Sequence, residues 1–151
     1  MPQTTTAINA CVAKVSLDNS AGTLTDISGS SAKVSMNLTI EEGMVRTLDG
    51  VWPIRKTCKK DAAITLEVVY TTTADEGFDI LRDWFFNAVT YNVARSIRLD
   101  LPDSTAGSDR YQGEVLLTSL TWDTDAAAAQ PIVATANLLP ANNLTHSVIA
   151  S

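Results

Sequence analysis

The chain has 151 residues, 45% of them hydrophobic and 19% charged, with a formal net charge of −6 and a pI near 4.6. A chain of this length is most simply one domain, spanning residues 1–151, and buries about 68–70% of its extended surface, enough for a core without metal or disulfide support. The composition argues against disorder, the acidity argues against tight nucleic-acid binding by phosphate neutralisation, and no run of about 18 apolar residues is present to insert in a membrane.

Cys11 and Cys58 are the two cysteines, and their distance in sequence gives no disulfide framework. The N-terminus MPQTTTAINA lacks the basic region and apolar core of a secretory signal, so folding in a cytosol is expected. Residues 1–9 are small and polar and read as a flexible arm. Residues 10–17 carry a weak strand pattern through Val12, Val15 and Leu17, followed by a turn at 18–22. A short strand at 23–27 and a second turn at 28–31 come next. Val34, Met36, Leu38 and Ile40 then alternate with Ser35, Asn37 and Thr39, the period of a strand with one buried face.

The segment Glu41–Asp61 is different. Asp49-Gly50 between MVRTL and VWPIR predicts a tight hairpin, because both turn residues tolerate positive φ. Pro53 argues against a central strand and for an edge or a projecting ribbon. The segment also holds Arg46, Arg55, Lys56, Lys59 and Lys60, five of the 11 basic residues of an acidic chain. A charged, proline-bearing ribbon suits a protected sheet edge, and slightly better an arm that reaches a partner.

Ile64, Leu66, Val68 and Tyr70 give the clearest strand. Thr73 and Glu76 stand at capping-box spacing, with Asp75 and Glu76 at the positive end of a helix dipole. A helix over about residues 74–88 follows, its apolar stripe formed by Phe78, Leu81 and Phe85, with Trp84 beside them and Ile80 flanking. Residues 87–92 leave the helix. Ile97, Leu99 and Leu101 mark another strand, 102–109 a loop, and 111–123 a long strand. The alternation of that strand shifts near 116–118, as a bulge or burial on both faces would require. A turn at 125–130 precedes the last strand at 132–139, and residues 141–151 read as a C-terminal arm. Seven or eight strands with one helix predict a mainly β fold. The expected form is an antiparallel sandwich or barrel, capped by the helix and carrying a long projecting hairpin at 41–61.

Catalytic chemistry is not in evidence. His146, the one histidine, lies near the C-terminal tail and supports neither a triad nor a histidine metal site. Asp100, Asp103 and Asp109 lack the spacing of a calcium loop. SGSS at 28–31 reads as a turn rather than a nucleophile elbow. Trp52, Trp84 and Trp122 are dispersed, and suit core or interface positions better than a stacking platform. The basic cluster at 46–60 reads better as an inter-subunit or solvated ribbon than as a phosphate site. No enzyme activity and no cofactor are expected.

Three stretches carry a family likeness: TLTDISGSSAKVSMNLTIEEG, VWPIRKTCKKDAAITLEVVYTTTADEGFDILRDWFF, and RSIRLDLPDSTAGSDRYQGEVLLTSLTWDTD with IVATANLLP after it. Together they span most of residues 23–140, and the chain resembles the major tail tube proteins of long-tailed, siphovirus-like bacteriophages. The resemblance implies a β-sandwich with a flanking helix, assembled as hexameric rings that stack into a hollow tube for DNA passage. It implies a partner list: further copies of the chain, the tape-measure protein, the tail terminator and baseplate or tip proteins. DNA would pass without specific binding, and the protein would reside in the virion tail after assembly in the host bacterial cytoplasm. The hairpin would reach a neighbouring copy, making Glu41, Glu42, Arg46, Trp52, Arg55, Lys56, Lys59 and Lys60 contact candidates, with Phe78, Leu81, Trp84 and Phe85 as helix core. Other readings stay open: a tail terminator, a secretion-system tube ring, or a β-sandwich module binding a sugar or host surface.

Overall fold

The computed structural model describes residues 10–87, 93–127 and 129–151. A 3-10 turn at Ala10–Val12 precedes β1 (Lys14–Asp18) and β2 (Leu24–Asp26), and a second at Ser28–Ser30 leads into β3 (Ser31–Val45). β4 (Ile54–Val69), α1 (Gly77–Asn87), β5 (Arg95–Leu101), β6 (Asp109–Trp122), β7 (Val133–Pro140) and β8 (Thr145–Val148) complete the order. The eight strands form one antiparallel sheet in the order β2-β1-β5-β6-β7-β4-β3, with β8 added beside β6.

Side chains from both halves of that order share one core. Val15 and Leu17 of β1 lie in the same cluster as Ile64, Leu66 and Val68 of β4 and Ala134, Ala136 and Leu138 of β7. The sheet therefore curls over on itself, with Ile97 and Val115 supplying the turn of the roll and α1 packed on β6, β4 and β1. This is the sandwich-like, helix-flanked β fold that strand alternation predicts. The shift in β6 is a register irregularity between Leu117 and Ser119 against β7.

The helix differs from its sequence pattern at both ends. It begins at Gly77, and the Thr73–Glu76 capping box does not form. The Thr73 N–H instead donates to Thr71 Oγ1, and the Asp75 N–H to Asp79 Oδ2 at 3.1 Å. The first helical N–H, on Gly77, donates to Ser30 Oγ at 3.0 Å. A cap from a distant turn wins because Gly77 sits hard against it: a Cβ there would lie 2.9 Å from Val68 Cγ1 and 3.1 Å from Ser30 Oγ. At the far end Phe78, Ile80, Leu81 and Trp84 are buried, but Phe85 is 56% exposed. The core stripe follows i, i+2, i+3, i+6, so Phe85 turns out to solvent and stacks edge-on with Phe86. The Trp84 indole N–H donates to Val93 O at 2.8 Å, which satisfies the one polar atom that side chain buries.

Three other expectations are corrected. Residues 10–13 hold a 3-10 turn and no strand, with Val12 exposed. Tyr70 lies one residue past β4 and caps the core edge, its ring 4.2 Å from that of Phe78. The segment expected as a C-terminal arm pairs with β6 through Thr145–Val148, where His146 Nε2 meets Asp109 Oδ1 at 2.8 Å. The expected N-terminal arm, and the exit from the helix at 88–92, lie outside the described residues.

Candidate assembly surface

β3 and β4 are 15 and 16 residues long, roughly three times the mean strand. Their pairing runs from Ser31↔Val68 to Val45↔Ile54, with register shifts between Ser31 and Lys33 and between Ile40 and Glu42. The core ends well before the hairpin does. Ala62 is the last buried residue of β4 toward the tip, and every residue from Asn37 to Gly50 is exposed. The distal arm, from Leu38 to Val45, adds about 25 Å of ribbon beyond the body.

The turn is looser than Asp49-Gly50 predicts. Residues 46–53 form an eight-residue loop, since Val45↔Ile54 is the last ladder pair. Pro53 falls in this loop, where its missing N–H breaks no ladder bond.

The sequence of the arm is that of a buried strand. Val34 and Met36 pack against the core, and their alternation continues to Leu38 and Ile40, which are 64% and 54% exposed on the same face. Leu38 pairs with Ala62 and Ile40 with Lys60, so the face is continuous across both strands. Between Ile40↔Lys60 and Glu42↔Thr57 the register shifts by one extra residue on β4, a bulge containing Cys58 and Lys59 opposite Glu41. Beyond it Glu42 and Met44 share a face with Thr57 and Arg55. The Arg55 guanidinium meets Glu42 Oε1 at 3.1 Å and lies 4.0 Å from Met44 Sδ. Gly43, Val45, Ile54 and Lys56 occupy the other face. At the tip Leu48 and Val51 are fully out in solvent and Trp52 is 83% exposed.

All eight predicted contact candidates are thus on this ribbon and exposed: Glu41, Glu42, Arg55, Lys56, Lys59 and Lys60 on its arms, Arg46 and Trp52 in its loop. Glu42 and Arg55 are tied to each other, whereas Arg46, Lys56, Lys59 and Lys60 carry no ion pair among the described residues. Charge alone missed the apolar half of the surface: Leu38, Ile40, Met44, Leu48 and Val51. The signal was present in the unbroken alternation from Val34 to Ile40 with no turn residue to end the strand.

The carboxylates at 100–109 do not converge on a cation position. Asp100 receives Arg110 Nε and Nη2 at 2.8 and 3.0 Å and the Ser104 hydroxyl at 2.9 Å. Asp103 holds Thr105 and Ser108, and Asp109 faces His146. Burial pushes the Asp100 carboxyl up, but the Arg110 and Ser104 hydrogen bonds and the Arg110 charge outweigh it and hold it below the usual range. Among the described residues no group of three or more His, Cys, Asp or Glu is placed to hold a metal, and no helix is long and apolar enough to cross a membrane.

A rolled antiparallel sheet, one flanking helix and a long unsupported hairpin make up the fold. No family model matches the chain and no curated protein is significantly similar to it. Solved structures are similar in fold. A chain of the tail of an empty gene transfer agent particle, refined with C6 symmetry, superposes with a TM-score of 0.70 at 16% identity, covering 93% of this chain and 99% of that one. The SPP1 tail tube gives 0.75 at 9% identity over 96% and 81%. A chain of the tube-terminating cap of the anti-feeding prophage gives 0.72 at 15% identity over 98% and 95%.

Proposed function

We propose that this chain is the structural subunit of a phage-type tail tube, forming hexameric rings that stack into a hollow conduit for DNA. The observation that carries this is the apolar stripe of β3, which leaves the core at Met36 and continues through Leu38 and Ile40 onto an arm with nothing over it. A monomer gains nothing from such an arm, whereas covering those two side chains with a partner contributes about 1.5–3 kcal/mol each. The open edge of β3 asks for the same solution, since closure into a ring removes strand edges. The C6 symmetry of the gene transfer agent tail supports six copies per ring. A net charge of −6 per copy suits a lumen that repels phosphate and lets DNA slide. The subunit would occupy the virion tail after assembly in the host bacterial cytoplasm, and meet the tape-measure, terminator and baseplate proteins at the tube's interior and ends.

Negative-stain microscopy of the purified protein tests the reading, with tubes or six-fold rings expected. Strict monomers at high concentration, with and without tape-measure protein, would overturn it. The likeness to a tube-terminating cap favours a second reading, a terminator ring. Copy number in the particle separates the two: a tube subunit forms many rings and a terminator one.

A further inference from the structure

A cleft of about 480 Å³ opens on the face of β1, β5 and β6 that points away from the core. Its floor is set by register: Ser96 opposite Glu114, and Arg98 opposite Gln112. Asp18 and Leu24 stand at its β1–β2 side. Two carboxylates lean on one serine there. The Ser96 N–H donates to Asp18 Oδ2 at 3.1 Å, and the Ser96 hydroxyl donates to Glu114 Oε1. Neither carboxylate is paired with a cation among the described residues. Arg98 Nε, buried beside them, has no hydrogen-bond partner. A donor left so is costly, and the arrangement improves when an acceptor arrives.

We propose that this cleft is the receptor on one copy of the chain for the hairpin loop, residues 46–53, of another copy. The assignment deepens the tail-tube reading and rests on it. Charge complementarity selects the occupant. The cleft holds two carboxylates against the single guanidinium of Arg98, neither of them ion-paired among the described residues, and the chain's cations without an ion pair concentrate on the hairpin. Arg46 suits the cleft best, because its forked guanidinium can engage two carboxylates at once. The loop also supplies main-chain carbonyls outside the ladder for Arg98, and Leu48 as an apolar surface for Leu24. A chain does not fill its own cleft by this route: the loop stands at the far end of the long β3–β4 ladder, which starts at Ser31↔Val68 and closes at Val45↔Ile54.

The test is a mixed disulfide between two full-length variants, each with Cys11→Ser and Cys58→Ser. One carries Thr47→Cys, beside Arg46 in the loop, and the other Thr145→Cys, on the cleft lining, so that Arg46 and both carboxylates are kept. A control mixture replaces Thr145→Cys with Lys33→Cys, an exposed position outside the cleft. Under mild oxidation the first mixture should give covalent dimer at least about tenfold faster, because docking raises the effective thiol concentration. Equal rates in the two mixtures overturn the assignment, whether or not tubes form. Selective crosslinking in a preparation without tubes would sink the tube reading and keep the cleft. Tubes without selective crosslinking would do the reverse. Charge reversal adds a second readout: Arg46→Glu should block docking, and Glu114→Arg on the partner should restore it.

Discussion

Asp100 and Arg110 face each other across β5 and β6 as a register pair, closed by two parallel N–H···O bonds of 2.8 and 3.0 Å. The carboxylate is 2% exposed, so the pair is a rigid strut on the outer side of the sheet. Its folded pKa lies below the ordinary 3.8, which fixes the sign of its linkage. The stability it contributes is fully present above that ordinary value and is lost as pH falls through the lower, folded one. Asp100→Asn should therefore flatten the pH dependence of stability below about pH 4. At neutral pH it should cost about 2–3 kcal/mol, less than a fully buried pair because Arg110 keeps contact with water. Urea unfolding from pH 2 to 7 measures both.

Trp84 and Phe85 are neighbours in sequence and opposites in the fold. Trp84→Ala should destabilise by about 3–5 kcal/mol, with loss of the hydrogen bond to Val93 included. Phe85→Ala should stay within about 0.5 kcal/mol in thermal unfolding, because its ring already faces water.

Gly77→Ala places a methyl group against Val68 and the Ser30 hydroxyl. The expected loss is about 1–3 kcal/mol, against the usual gain from adding alanine to a helix. Ser30→Ala should remove the cap and cost about 1 kcal/mol. The two effects should fall short of additivity in a double-mutant cycle, since both act on one contact.

Lys59 lies in the bulge and Lys60 beside it, both on the exposed arm. Reversing both to Glu should leave the melting temperature unchanged and shorten or abolish tubes in micrographs. Unaltered tube length and yield would remove the basic arm from the assembly argument. Leu38→Ser with Ile40→Ser should have the same signature, an intact fold and lost polymerisation, through the apolar face instead.

The mainly β architecture was legible because it is written in local alternation, from Val34–Ile40 to Ile64–Val68. The hairpin was legible too, as a long projecting ribbon at 41–61, but around a tight turn, since Asp49-Gly50 carries a strong local signal that Pro53 and the exposed loop override. Phe85 was misread for a geometric reason. The sequence pattern admits both i+6 and i+7 as the last core position, and only the angle at which α1 meets the sheet chooses Trp84. The Ser30 cap and the Asp100–Arg110 strut join residues 47 and 10 positions apart, and the cleft beside Arg98 joins Ser96 to residues 18 and 78 positions away. No spacing rule announces such pairs; they appear once strand register is known.

The Ser30–Gly77 bond also sets an order of events during synthesis. Eleven residues make a marginal helix in water, and α1 lacks the capping box that would start it locally. Its first N–H waits for a hydroxyl from the turn before β3, and its aromatic face waits for the rolled sheet. The long hairpin, whose ladder closes between sequence neighbours, can zip first. Each nascent chain is therefore expected to present its outreaching ribbon before its body is sealed. A substitution at Ser30 or Gly77, far from that ribbon, should lengthen the interval in which premature partners can seize it.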